Sequence, residues 1–356
     1  MSMPRRTVLL ITLFFSVLLA GCQSEPQEHK TTMMVFGTLV TITLWDVEEE
    51  KANQAIDAVA EDLSFMHEAW HPWRAGPMGR MNQLLGMTGE FTGNISVMPL
   101  IEKSRKLAEQ SQGLFNPALG KLIALWGFHQ EDLFANFPPS QDEIDELLAQ
   151  NPQLSDIQVD NVRISNDNPA VRLDMGAIAK GEAVQRSIDY LQSKGIDNAM
   201  VNAGGDLMAI GRHGDRPWRI GVRHPRKECD DKNPAECVIA RLDVRHNEAV
   251  FTSGDYERYF EYGGKRYHHI LDPRTGYPAD QTTSVTVIHH DGATADAAST
   301  ALFIAGPEEW PQIARNMGVE QVMLIDKQGV VHLSPAMAER IELSDLQTDP
   351  VIQKLP

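Results

Sequence analysis

The sequence predicts an α+β fold, on three observations. Helical and strand-like patterns come in blocks along the chain rather than in strict alternation, which favours α+β over a wound parallel sheet. No linker separates two clean domains, and no repeat of fixed period is present. The chain has 356 residues, 42% hydrophobic and 23% charged, as is ordinary for a globular protein. We therefore expect one large unit or two closely packed subdomains.

The first 21 residues have the three-part order of an export signal. Two arginines precede a mostly apolar run over residues 8–20, which is too short to span a bilayer because a span needs about 20 residues. Small residues and then Cys22 complete a pattern that resembles a bacterial lipoprotein signal, with Cys22 as the lipidated residue. An ordinary secretory peptide is the alternative. Residues 22–33 are expected to form a flexible tether.

Net charge and cysteine content limit the kinds of binding partner and the cellular compartment that are consistent with the sequence. The signal segment holds two basic and no acidic residues, so its removal changes the formal charge from −17 to −19. An acidic body argues against nucleic acid and against electrostatic adhesion to lipid, so membrane contact is expected through acyl chains on Cys22. We expect the periplasmic face of the cell membrane, with the inner membrane favoured over the outer. In an oxidising compartment Cys229 and Cys237 could form a disulfide; two free thiols are the alternative.

The first half of the chain begins with a strand and continues mainly as helices. Residues 35–45 alternate apolar and Thr positions, which predicts a strand. A helix is also predicted over residues 100–111, and another after the capping box formed by Ser140 and Glu143. Residues 157–164 are predicted to form a hairpin. A four-three spacing of apolar positions predicts an amphipathic helix with one face formed by Ala52, Ile56, Val59, Leu63 and Met66.

From Ala199 onwards, short strand patterns dominate and two helices, near Asp296 and Glu308, interrupt them. The strands are expected at residues 200–201, 218–222, 238–244, 284–288 and 322–325.

The segment from Asp174 to Gly181 follows a strand-like run at residues 171–173 and precedes a helical pattern. Gly176 and Gly181 would leave room for a ligand near the backbone. Lys180 adds a positive charge beside a helix N-terminus, where free N–H groups favour an anion. A plain turn before a helix is the alternative.

Three further segments carry polar groups at turns and helix ends. Residues 202–206 form a Gly-Gly turn that could pack against a flat ring, with a structural turn as the equal alternative. Residues 268–278 are expected to form an ordered loop in which a His can act as a general base. The alternative is that, of the two adjacent His residues, one is buried in the core and the other is exposed, with no catalytic role. Asp296 and Thr300 share one helix face and suit a hard cation; an acidic residue favouring the helix dipole is the alternative.

Taken together, these segments resemble the ApbE family of FAD:protein FMN transferases. The resemblance implies two interleaved α+β subdomains around a single flavin and metal site, within residues 34–345. It also implies Mg²⁺-dependent transfer of FMN from FAD to a Thr hydroxyl of an acceptor protein, with release of AMP. The matching segments, in order along the chain, are residues 36–38, 125–128, 174–181, 202–206, 253–256, 269–278 and 294–300.

The resemblance also implies a role for each matching residue. The catalytic residues would be His269, Asp296 and Lys180, with His269 as the base for the incoming hydroxyl. Magnesium would be held by Asp296, Ser299, Thr300 and the main-chain carbonyl of Ala177. The contacts to FAD would come from Phe36, Trp73, Phe115, Asn116, Asp174, Lys180 and Ile270. The family usually has Met at the position of Phe36 and Asp-Pro-Thr at residues 116–118.

Two other functions would use the same residues. One is an FAD pyrophosphatase, in which water replaces the Thr hydroxyl; the other is a non-catalytic FAD-binding lipoprotein, which would not require the metal ligands. The resemblance implies acceptors that are exported or membrane redox subunits carrying the pattern Asp-x-x-Ser/Thr-Gly/Ala-Thr. The chain has no copy of that pattern, and its closest run, residues 272–277, ends in Tyr.

Overall fold

The computed structural model describes residues 27–356 except residues 88, 131, 134–136, 228–233 and 345–347. The predicted signal segment, Cys22 and Cys229 lie outside the described residues. Within the described ranges, no helix combines the length and the apolar character needed to cross a membrane.

A nine-stranded sheet forms the centre of the fold. Its strands are β1 (Glu28–Val35), β2 (Thr38–Trp45), β6 (Ala199–Ala203), β7 (Asp206–Ile210), β10 (Glu248–Gly254), β13 (Thr282–His289), β14 (Gln321–Asp326), β15 (Val331–Leu333) and β17 (Val351–Ile352), in that spatial order. Every neighbouring pair is antiparallel except β15 with β17. This antiparallel sheet confirms the predicted α+β class.

Three smaller sheets surround the central one. One contains β3 (Gly89–Thr92), β4 (Ile157–Asp160) and β5 (Arg163–Asn166); the second contains β8 (Trp218–Arg223), β9 (Val238–Val244) and β16 (Glu342–Leu343); the third is the hairpin of β11 (Tyr259–Tyr262) and β12 (Lys265–His268).

Helices pack mainly on one face of the central sheet. They are α1 (Glu49–Trp70), α2 (Pro77–Gly86), α3 (Met98–Gln110), α4 (Gly120–Leu125), α5 (Gln141–Ala149), α6 (Ala179–Ser193), α7 (Gly292–Asn316) and α8 (Pro335–Ala338). The main core joins the apolar sides of α1, α6 and α7 to one sheet face, and a second core joins the opposite face to β8, β9 and α8. Because side chains alternate along a strand, β7 and β10 supply residues to both cores.

Several predicted elements are confirmed. The five apolar residues expected on one face of a helix are all buried in α1. The capping box at Ser140 starts α5, and the hairpin near residue 160 is formed by β4 and β5. The helix expected over residues 100–111 is α3, which begins at Met98. The two helices expected near Asp296 and Glu308 are the two halves of α7, which are separated at Gly306, where the backbone is not helical (φ 71°).

Other predictions need correction. The strand predicted over residues 35–45 begins later, at Thr38, as β2, because Phe36 and Gly37 form the turn that follows β1, with φ of 53° and 71°. The predicted tether ends too late, since β1 already begins at Glu28 and pairs with β2. Residues 171–173 form no regular strand and make only an isolated bridge, between Arg172 and Leu119.

Candidate functional site

The first turns of α6 and α7 touch each other at two glycines. A Cβ on Gly181 would lie 2.2 Å from the carbonyl oxygen of Gly292, and a Cβ on Gly292 would lie 2.6 Å from that of Gly181. This approach lets the Gly181 N–H donate to Oδ2 of Asp296 over 2.8 Å. The space predicted at Gly181 for a ligand is therefore filled by α7, and that prediction was wrong. The glycine instead brings Asp296 to the start of the other helix.

Lys180 connects this helix crossing to the central sheet. Its ammonium group forms an ion pair with Asp206, the first residue of β7, and the other carboxylate oxygen of Asp206 accepts the Thr252 N–H over 2.9 Å. Burial alone would lower the pKa of Lys180, but the charges of Asp206, Asp296 and Glu257 raise it well above its usual range. Lys180 is therefore a fixed cation among carboxylates.

Two carboxyl groups of this cluster, those of Asp296 and Glu257, have raised pKa values. Burial raises the pKa of Asp296 to about 7, and the nearby charges of Asp206 and Glu257 add to that effect while Lys180 opposes it. The pKa of Glu257 is raised as well, by partial desolvation and by the charge of Asp206, although the side chain as a whole is exposed. Three carboxylates around one ammonium group leave an excess of negative charge, which a divalent cation would balance. Glu257 was missed in the sequence, because it directly follows a matching segment without a distinctive local pattern.

Hydroxyl groups lie beside Asp296 on the same helix. The hydroxyl of Ser253 at the end of β10 lies 2.8 Å from that of Ser299 and 3.1 Å from that of Thr300. Ser299 is buried and donates to the main-chain carbonyl of Asp296 over 2.8 Å, whereas Thr300 is half-buried. Ala177 lies in the turn just before α6. Carboxylate, hydroxyl and carbonyl oxygens are the donor types that Mg²⁺ prefers, so these residues fit the predicted ion chemically.

Among the described residues, no group of three or more His, Cys, Asp or Glu side chains has an arrangement that could hold a metal ion.

His269 follows β12 and is half-buried, whereas its neighbour His268 is 5% exposed. The Nδ1 atom of His269 lies 3.2 Å from the carbonyl oxygen of Arg258, which also accepts the His269 N–H over 3.0 Å. Burial, aided by positive charges nearby, lowers the pKa of His269 to about 3. The imidazole is therefore neutral at pH 7, and an Nδ1–H donated to Arg258 would leave Nε2 free to accept a proton.

Trp73 and Asp174 meet although they are 101 positions apart. The indole N–H of Trp73 donates to Oδ2 of Asp174 over 3.2 Å, and the Gly176 N–H donates to Oδ1 over 2.8 Å. Burial raises the pKa of Asp174, and these two hydrogen bonds oppose the shift. The Arg172 guanidinium lies 4.3 Å from the centre of the Trp73 ring. Two of the predicted flavin contacts thus form one hydrogen-bonded unit beside α6.

The other predicted flavin contacts are more scattered. Phe36 is half-buried and packs edge-on against His67 with 5.6 Å between ring centres. Phe115 and Ile270 are only 1% and 4% exposed, so their side chains belong to the main core rather than to an open site. Asn116 donates to the Pro152 carbonyl over 2.9 Å. These three side chains are therefore held by contacts within the protein itself.

The loop that follows His269 is tightly held. Arg274 forms a bidentate ion pair with Asp272, in which Nε lies 2.9 Å from Oδ1 and Nη2 lies 2.8 Å from Oδ2. The Gly276 N–H donates to the Asp272 carbonyl over 2.8 Å, and Gly276 has a φ of 74°. The predicted ordered loop at residues 268–278 is confirmed. The predicted pairing of Cys229 with Cys237 falls partly outside the described residues; Cys237 itself is buried and disulfide-bonded.

Comparison with known proteins gives consistent matches. A sequence profile of the ApbE family matches residues 36–323. An FAD:protein FMN transferase of Rhodobacter capsulatus is 38% identical over 315 residues, which cover 87% of this chain but 58% of that protein. One from Klebsiella pneumoniae (strain 342) is 29% identical over 331 residues, 91% of this chain and 97% of that protein. The chain thus spans less than two thirds of the first relative's length and nearly all of the second's.

Solved structures give the same result. The ApbE protein of Thermotoga maritima MSB8 superposes with a TM-score of 0.79 at 32% identity, covering 88% of this chain and 99% of that one. The flavinyl transferase ApbE of Pseudomonas stutzeri superposes with a TM-score of 0.75 at 28% identity, covering 90% and 98%.

Proposed function

The chain belongs to the ApbE family, and from that membership we propose that it transfers FMN from FAD to a Thr hydroxyl of an acceptor protein, releasing AMP. The observation that carries the proposal is the crossing of α6 and α7. There Asp296 is hydrogen-bonded to the first turn of α6, next to the Lys180–Asp206 pair and the Ser253–Thr300 contact. Named relatives over most of the chain length support the same reaction.

The reaction breaks one phosphoanhydride bond of FAD and forms one phosphoester bond. The Thr hydroxyl oxygen would attack the phosphorus of the FMN half, the bridging oxygen would leave with AMP, and the hydroxyl proton would pass to a base. His269 would take that last role, because its imidazole is neutral and its Nδ1 lies against the Arg258 carbonyl, which leaves Nε2 to accept the proton. The negative charges of bound FAD would raise its pKa from about 3 towards the range that a base requires. Lys180 would stabilise the charge that develops on the phosphate oxygens.

The proposed metal is Mg²⁺, held by Asp296 and Thr300 with Ser299 and the Ala177 carbonyl beside them. Magnesium would neutralise charge on the pyrophosphate when bound. The support is the set of oxygen donors and the presence of three carboxylates, Asp206, Asp296 and Glu257, around the single ammonium group of Lys180.

The proposed location of the enzyme is the periplasmic face of the cell membrane, where a lipid on Cys22 would anchor it. The support is the signal pattern in the sequence, together with the disulfide at Cys237, which fits an oxidising compartment. Acceptors would then be exported or membrane redox proteins that present a Thr on the same side.

The test combines the full chain, FAD, Mg²⁺ and a candidate acceptor domain, followed by mass spectrometry of the acceptor. We expect an FMN adduct on one Thr, lost when Mg²⁺ is chelated and with the Asp296→Asn variant. The matched control is Glu90→Gln, which removes a carboxylate from an exposed ion pair with Arg163 and should leave transfer unchanged. Release of FMN and AMP at the same rate without any acceptor would instead identify a pyrophosphatase.

A further inference from the structure

A small polar cavity lies where β12 and the start of β13 meet the end of β14. Its volume is about 160 Å³, and its lining includes Thr282, Lys265 and Lys327. None of the residues that line it belongs to the α6–α7 crossing described above. The volume equals that of roughly five water molecules, below the usual range of pockets for drug-sized molecules. The cavity therefore suits a single small group rather than a nucleotide.

One buried hydroxyl in this cavity lacks a partner. Thr282 is 2% exposed, and its Oγ1 has no hydrogen-bond partner among the described residues. Its neighbour Thr283 differs, since that hydroxyl donates to the Ile325 carbonyl over 3.1 Å. Buried polar atoms nearly always have a partner, so the partner of Thr282 is expected inside the cavity that it lines.

Two lysines give the cavity an excess of positive charge. Arg226 and Asp255 in its wall neutralise each other through two hydrogen bonds of 2.7 and 2.6 Å. The wall also holds one further arginine and one further carboxylate, Arg266 and Asp280, whose charges are equal and opposite. Lys265 and Lys327, by contrast, have no carboxylate within ion-pair distance in the described part of the chain. This arrangement stands out in a protein with a formal charge of −17. Lys265 lies 5.1 Å from the centre of the Tyr267 ring, but neither lysine has a carboxylate partner within the described ranges. Lysines of this kind beside an unpaired hydroxyl favour an anion that accepts hydrogen bonds.

We propose that this cavity binds an oxyanion, a phosphate or a carboxylate group, between Lys265 and Lys327 with the Thr282 hydroxyl as a further donor. The proposal is independent of the flavin reaction, because it uses none of the residues assigned to that reaction. The same chemistry could come from free phosphate or from an acidic side chain of a protein, and the two sources can be separated by experiment.

The experiment is a calorimetric titration of the detergent-solubilised full chain. One arm uses inorganic phosphate and the other uses aspartate blocked at both its amino and carboxyl ends, which leaves only the side-chain carboxylate. We expect saturable binding in at least one arm, weakened about tenfold or more by the double variant Lys265→Gln/Lys327→Gln, because each loses a charged hydrogen-bond donor. Binding of phosphate alone would assign the site to a phosphoryl group, and binding of blocked aspartate alone to a protein carboxylate.

Three further variants complete the experiment. Lys30→Gln removes an exposed lysine of the edge strand β1 and should leave the titration unchanged. Thr282→Val should weaken binding while Thr282→Ser retains it, with thermal melting used to confirm that each variant is folded. Absence of saturable binding in both arms, or binding that is insensitive to the double lysine variant, would overturn the proposal and leave a water-filled cavity.

Discussion

Replacing Gly181 by Ala tests whether the contact between α6 and α7 builds the candidate site. The added methyl would lie 2.2 Å from the Gly292 carbonyl oxygen and 2.7 Å from the Asp296 Cβ, and real Cβ atoms essentially never come closer than 3.0 Å to other atoms. Both neighbours belong to α7, so neither can rotate away as the end of a flexible side chain could. The two helices must move apart, which stretches the hydrogen bond from Gly181 to Asp296.

The expected loss of stability combines three effects. Overpacking costs about 1–3 kcal/mol, loss of a hydrogen bond to a carboxylate about 1.5–3 kcal/mol, and the better helix propensity of Ala returns about 1 kcal/mol. We therefore expect the free energy of unfolding to fall by about 1.5–5 kcal/mol, measured by urea unfolding with tryptophan fluorescence. Because Asp296 would also be displaced, the Mg²⁺ concentration needed for half-maximal FMN transfer should rise.

A matched control is Gly86→Ala, at the last residue of α2. A Cβ there meets no heavy atom within 4 Å, so the variant should be as stable as the parent or slightly more stable. The reasoning would be refuted if Gly181→Ala unfolded at the same urea concentration as Gly86→Ala and showed an unchanged Mg²⁺ dependence.

Three further predictions concern charge and packing elsewhere. Since the pKa of Asp296 is raised to about 7, protons should compete with Mg²⁺ for this carboxylate. The apparent dissociation constant of Mg²⁺, measured from FAD turnover, should therefore rise about tenfold from pH 8 to pH 6. A dissociation constant that does not change with pH would argue against Asp296 as a ligand. Arg340→Met should cost about 3–5 kcal/mol in urea unfolding because it leaves Glu248 buried and unpaired, whereas the exposed Arg163→Met should cost less than about 1 kcal/mol. Gln353→Ala should lower the melting temperature, because the Gln353 side chain bonds to Trp310, to His332 and to the Pro307 carbonyl; an unchanged melt would show that the C-terminal segment adds no stability.

The local part of the fold could be predicted from the sequence because its causes are local. The apolar stripe of α1, the capping box at Ser140 and the turn between β4 and β5 each depend on residues within a few positions of one another. Failures came where a short turn interrupts a regular pattern. The alternation over residues 35–45 gives no sign that Phe36 and Gly37 adopt positive φ, and residues 171–173 look apolar enough for a strand but find no strand to pair with.

By itself, the sequence determined the α+β class, the family and the segments that carry chemistry, because those rest on composition, periodicity and ordered motifs. Only the tertiary structure decided how those segments meet. Gly181 packs against α7, and Lys180 forms an ion pair with Asp206. The side chains of Phe115 and Ile270 are buried in the core. The physical reason is that such contacts join residues tens of positions apart, so they depend on the strand order of the sheet and on helix crossings, which no local pattern encodes.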